Sequence, residues 1–206
     1  MIQLEAFTAA DFPELQEWLK TAQLLSEWSG GLFSFPLSED ALHWYIEDTN
    51  VVGESDVFIY KAVDTKTGQT VGHLSLGNIS QRDRSGRLTR VLVSEKQRGR
   101  GICTKMIDQV LRIGFEDLKL HRISLGVYSF NHGAIRCYLR CGFHKEGVLR
   151  DVVRYGTEYW SLVEMSILED EWRQRQVGGG PPPPAASVAS AAPPAAVPPA
   201  APPAAA

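Results

Sequence analysis

The residues best suited to chemistry stand at Arg98-Gly99-Arg100-Gly101-Ile102-Cys103, directly after the run Val91-Leu92-Val93. From Ile102 onward Met106, Val110 and Ile113 recur on one face, and Ile107 and Leu111 widen the stripe, which predicts an amphipathic helix. A strand therefore feeds a glycine loop that opens a helix. Such a loop presents backbone N–H groups beside the positive end of the helix dipole and forms an anion site. Arg98 and Arg100 can add charge to it. A triphosphate loop would need a Lys-Ser/Thr pair closing a longer glycine span, and Gly101-Ile102-Cys103-Thr104 lacks one. A dinucleotide fingerprint fits poorly as well. It would need glycine at position 104 and an acid ending the next strand, where Thr104 and Tyr128 stand instead.

Cysteine and histidine add no second centre of chemistry. Cys103, Cys137 and Cys141 form no CxxC pair, and an odd number argues against a disulfide framework. Cys137 and Cys141 read as small buried side chains sharing a helical face. His43, His73, His121, His132 and His144 are dispersed, with no two spaced to bind one ion, so no metal is expected.

The elements that must hold the loop are legible along the chain. Ile2 to Ala6 alternates like a strand, and Thr8 with Asp11 resembles a capping box before a helix bearing Phe12, Leu15 and Leu19. Ser38-Glu39-Asp40 signals a second helix with Leu42, Tyr45 and Ile46, and an aromatic loop from Trp28 to Pro36 is expected between the two, either covering the core or forming a wall of an acceptor pocket. Residues 57–63 and 70–76 read as a hairpin turning at Gly68. A polar stretch from Asn78 to Gly86 precedes the strand 87–93. After the amphipathic helix come a strand at 122–127, a short helix at 134–141, and extended chain from Phe143 to a last strand at 159–168. This order predicts a mixed α/β sheet rather than a parallel wheel.

Composition sets the outer limits. The chain has 206 residues and a formal net charge of -3, which offers no basic field for nucleic acid or an anionic membrane. The start lacks a basic-then-apolar leader, and no run approaches the roughly 20 apolar residues of a membrane span, so a cytoplasmic location is expected. From Val177 onward the chain carries no charge and is mostly alanine and proline. One domain over 1–176 and a disordered tail over 177–206 are expected.

With these elements in place, the loop is similar to the Gln/Arg-x-x-Gly-x-Gly/Ala motif of the GNAT acetyltransferase superfamily. Arg98, Gly101 and Cys103 stand at its three fixed positions, with cysteine as the departure. The segment Asn131-His132-Gly133-Ala134-Ile135-Arg136-Cys137-Tyr138-Leu139-Arg140-Cys141-Gly142-Phe143 resembles the family's second motif, at the expected distance downstream. The resemblance extends over residues 1–176 and is strongest toward the branch containing ribosomal-protein alanine acetyltransferases. It implies a mostly antiparallel twisted sheet flanked by helices, with acetyl-CoA as co-substrate and direct transfer of acetyl to an amine.

The resemblance also implies roles. Backbone groups of Val91, Leu92 and Val93 would receive the pantetheine arm, and amides from Arg98 through Gly99, Arg100, Gly101 and Ile102 to Cys103 would hold the pyrophosphate. Asn131 would touch the cofactor, cap the following helix, or both. Tyr138 would protonate the departing thiolate, or else be a core tyrosine. Many relatives carry a glutamate as base on the strand before the loop, where this chain has Arg87; Glu27, Asp83, Glu158 and Glu164 remain as substitutes. The acceptor is expected to be a small-molecule or peptide amine, and the protein a monomer or homodimer. A non-catalytic acyl-CoA-binding domain is the competing reading.

Overall fold

The computed structural model describes residues 1–178. The expected disorder of the tail falls, from residue 179 onward, outside the described residues.

Seven strands form one sheet: β1 (Ile2–Ala6), β2 (Phe58–Asp64), β3 (Gln69–Ser80), β4 (Ser85–Val93), β5 (Arg122–Tyr128), β6 (His144–Tyr155) and β7 (Glu158–Leu168). Their order is β1-β2-β3-β4-β5-β7-β6. Every neighbouring pair is antiparallel except β4 and β5, which run parallel. A parallel pair needs a crossover, and α4 (Ile102–Arg112) supplies it. The mixed, mostly antiparallel sheet inferred from the sequence is the one found.

Side chains alternate across a strand, and β4 shows where each falls. Leu92 packs with Phe12, Leu25, Trp28 and Leu42, which belong to the cover made by α1 (Phe12–Trp18), α2 (Ala22–Ser29) and α3 (Glu39–Ile46). Val91 and Val93 join the other cluster, built around Met106, Val110 and Phe115 beneath α4 and α5 (His132–Arg140). The apolar stripe of α4 is buried as its spacing required, with Met106, Ile107 and Val110 at 0% exposure.

Three local expectations change. Residues 22–29 form α2, so Trp28 lies in the last turn of a helix and the expected loop is correspondingly shorter. The helix has a side-chain cap, since the Leu24 N–H donates to Thr21 Oγ1 at 3.2 Å, but its eight residues are too few to show a clear period. The polar stretch after Asn78 divides between β3 and β4, leaving a turn at residues 81–84. Finally, α6 (Glu169–Gly178) follows β7 and packs through Trp172, whose ring lies 5.3 Å from Phe115. With acidic and basic residues almost all round, α6 has no apolar stripe to read.

Candidate active site

Pairing between β4 and β5 stops at Leu88–Leu125. Just beyond, the register of β4 against β3 slips between His73–Leu92 and Ser75–Thr89, which leaves one extra residue on β4. Arg90 lies in this bulge with φ +52°, the left-handed region that costs most residues free energy. The Trp28 indole N–H holds the bulge by donating to the Arg90 carbonyl at 3.0 Å. A bulge bends and twists its strand, so β4 and β5 part. Between them opens a cleft of about 210 Å³.

Thr89, Arg90 and Val91 form one wall of the cleft, Gly126, Val127 and Tyr128 the other, and Glu27 to Gly30 close one side. Asn131, Ala134 and Tyr138 complete it from α5. Of the residues singled out in the sequence, Val91, Asn131 and Tyr138 therefore meet in one place. Leu92 and Val93 continue the β4 edge that β5 has left, but line no part of the cleft. Arg98, Gly99, Arg100, Gly101, Ile102 and Cys103 also line neither this cleft nor the neighbouring pocket. Trp28, which begins the loop read as core cover or pocket wall, lines the cleft, but sequence reasoning did not place Arg90 or Tyr128 in the site. Contacts such as Trp28 to Arg90, 62 positions apart, leave no local signal.

The loop has the features a pyrophosphate needs. Gly99 and Gly101 take φ of +77° and +71°, and a Cβ on either would meet no atom within 4 Å, so the loop faces open space. Gly101 is the N-cap of α4 and brings no side chain to its first-turn amides. These residues fit an acyl-CoA pyrophosphate, as the unpaired edge of β4 fits its pantetheine arm.

Asn131 is the N-cap of α5 and accepts from the Ala134 N–H at 3.1 Å, so the capping role is present. Tyr138 is 6% exposed. Burial pushes its phenol well above the usual value, and the nearby cysteines add to the shift, so it enters any reaction protonated. Burial and, secondarily, Glu27 also raise Tyr128.

Arg87 donates to both carboxylate oxygens of Glu164, at 2.9 and 2.7 Å, by reaching across β5 at Gly126. Glu164 is thereby engaged. Asp83 sits in the β3–β4 turn and accepts from Ser80 Oγ at 3.0 Å, and Glu158 opens β7. Of the four carboxylates considered as base, Glu27 alone lines the cleft.

A second pocket of about 480 Å³ shares Arg87, Thr89 and Arg90 with the cleft and is otherwise lined by residues including Trp44, Tyr45, Glu47 and Asp48. Behind it Tyr45 Oη lies 3.1 Å from Nε2 of the buried His73, and the Arg90 guanidinium sits 5.0 Å from the centre of the Tyr45 ring. Burial lowers His73 to about 3 and raises Tyr45 to about 12. Among the described residues no group of three or more His, Cys, Asp or Glu is placed to hold a metal ion, and no helix is long and apolar enough to cross a membrane.

A parallel strand pair split by a bulge, followed by a glycine loop that opens a helix, suits a transferase that uses acyl-CoA. The model of the acetyltransferase (GNAT) domain matches residues 2–144, and the chain belongs to that family. It is an acetyl-CoA-dependent N-acetyltransferase. Over 138 residues it is 30% identical to an uncharacterised, prophage-derived N-acetyltransferase of Bacillus subtilis (strain 168), covering 66% of this chain and 75% of that protein. Over 158 residues it is 27% identical to aminoglycoside N(6')-acetyltransferase type 1 of Klebsiella pneumoniae, covering 72% and 76%. In fold it matches the crystal structure of spermidine N-acetyltransferase from Vibrio cholerae in complex with CoA and spermine. The TM-score is 0.73 at 22% identity, over 84% of this chain and 98% of that one.

Proposed function

We propose that the acceptor is a small polycationic amine, which enters by the pocket bearing Glu47 and Asp48 and presents one amino group in the cleft beside Tyr138. The observation that carries this reading is the shared wall. Arg87, Thr89 and Arg90 border both spaces, so a flexible amine can lie in one and reach into the other. Arg87 is already neutralised by Glu164, and against the remaining lining cation, Arg90, the carboxylates of Glu47 and Asp48 leave the pocket net negative. Polyamine and aminoglycoside acetylation by relatives of this chain agrees with such an acceptor. Nothing in the pocket selects a peptide amino terminus, the other acceptor expected from the sequence.

Acetyl-CoA supplies the acyl group as a thioester. In this reading the amides from Arg98 to Cys103 hold its pyrophosphate and the free edge of β4 fixes its arm, which orients the carbonyl toward the amine. Glu27 takes a proton from the entering ammonium, directly or through water. Tyr138 Oη gives its proton to the sulfur as it leaves.

The test is an acetylation assay across mono-, di- and triamines, aminoglycosides and short peptides. Exposed charge pairs contribute about 0.2–1 kcal/mol each, so Glu47→Gln with Asp48→Asn should raise KM for a triamine about 2- to 30-fold. KM for acetyl-CoA and kcat should stay put. Acetylation of peptides but no polyamine, or a triamine KM unmoved by the double change, would overturn the assignment.

A further inference from the structure

Three thiols that the transfer reaction does not use stand between the cofactor loop and the proposed acid. Cys103, on the first turn of α4, and Cys137, in the residue before Tyr138, have their sulfurs 2.6 Å apart. That is well inside the ~3.5–4.0 Å at which unbonded carbon atoms pack and near the ~2.05 Å of a disulfide. Thr104 Oγ1 lies 3.6 Å from the same Cys137 sulfur, and Cys141 is buried one helical turn beyond it. Cys137 is buried and Cys103 is half-buried. No metal geometry accounts for the group.

We propose that Cys103 and Cys137 form a reversible oxidation site, closed to a disulfide by a hydroperoxide, which ties the acetyl-CoA loop to the helix bearing Tyr138. The Cys137 thiolate, which Cys103 stabilises by donating its S–H, attacks the peroxide, the O–O bond breaks, and the departing hydroxide takes a proton to become water. The Cys103 sulfur then displaces hydroxide from the Cys137 sulfenic acid and gives up its proton to it, which forms the S–S bond and a second water. Two thiols and one hydrogen peroxide thus give one disulfide and two waters. Hydrogen bonds from Cys103 and then Cys141 lower Cys137 and favour its thiolate form. The two sulfurs, 2.6 Å apart, have only about 0.5 Å to close to reach disulfide length.

One arm of the test rests on acetyl-CoA occupying the loop, and the other does not. Protein of residues 1–206 is treated with hydrogen peroxide and digested without reductant. A loss of 2 Da, a peptide joining Cys103 to Cys137 and recovery with dithiothreitol are expected. Cys141→Ala should keep the linked peptide, and Cys103→Ala should abolish it. No mass loss, stable addition of oxygen atoms to the thiols, or linkage between chains alone would overturn the proposal. Saturating acetyl-CoA should slow the linkage at least tenfold by covering Cys103. If linkage forms at an unchanged rate, the oxidation site stands and it is the placement of acetyl-CoA on this loop that fails.

Discussion

Replacing Gly126 by alanine tests why β5 has a glycine where the cleft opens. An added Cβ would lie 2.5 Å from a Leu162 methyl, 2.7 Å from Arg87 Nη2 and 3.1 Å from Glu164 Oε1. The leucine can turn aside, but the guanidinium yields only by giving up its two-point contact with Glu164. Those side chains are 29% and 23% exposed. Their pair therefore falls between a surface pair, worth about 0.2–1 kcal/mol, and a buried pair whose disruption costs about 3–5. A loss of about 2 kcal/mol follows. Alanine returns about 0.5–1 kcal/mol by stiffening the unfolded chain. The net cost is about 1–1.5 kcal/mol, a drop in Tm of roughly 2–6 °C for a domain of this size. Denaturant midpoints give the sharper measurement when Gly126→Ala is repeated in an Arg87→Ala/Glu164→Ala background. There the added methyl has no ion pair to disturb, and the change should be neutral or slightly stabilising. The difference between backgrounds should be about 2 kcal/mol. Equal costs in both, within about 0.5 kcal/mol, would refute the idea that this glycine exists to let Arg87 pass.

Tyr138→Phe should leave acetyl-CoA affinity and Tm near their starting values while lowering kcat about 10²- to 10⁴-fold; unchanged turnover would reduce the residue to packing. Gly101→Val places a β-branched residue at φ +71° in the loop and should abolish acetyl-CoA binding with the fold retained, which titration calorimetry and circular dichroism together will show. His73 gives a pH signature. Folding lowers it to about 3, so above about 6.5 both states are neutral, and below that the unfolded chain alone takes the proton. Stability should fall by up to about 1.4 kcal/mol per pH unit from about 6.5 toward 3, and urea midpoints of His73→Gln should lack that slope.

The sequence carried the part of this protein that is local. The α4 stripe, the glycines at 99 and 101, and the alternation of β1, β4 and β5 each follow from spacing along a few residues, because helix and strand periods are short. The order strand, loop, helix, strand already required a parallel crossover, and with it a place for an anion. Asn131 and Tyr138 were found through a motif, and both lie in the cleft. Elements without a period escaped. The eight-residue α2 is anchored by the bond from Trp28 to Arg90, and the polar α6 by Trp172 against Phe115.

The base position shows the same limit more sharply. Arg87 stands where a glutamate was expected, and the sequence could not say which carboxylate it would meet or which would remain free. That choice depends on β7 lying next to β5 and on the missing side chain at Gly126, which together bring Glu164 within reach of Arg87 from 77 positions away. Glu27 enters the cleft because α2 packs over the bulge at Arg90. The meeting of Cys103 and Cys137, 34 positions apart, likewise depends on two helices crossing the same face of the sheet. Sequence spacing determined the loop and the elements around it. Tertiary packing alone decided which charges cancel and which face the cleft, since Coulombic and hydrogen-bond energies depend on distances in space that neighbours along the chain do not set.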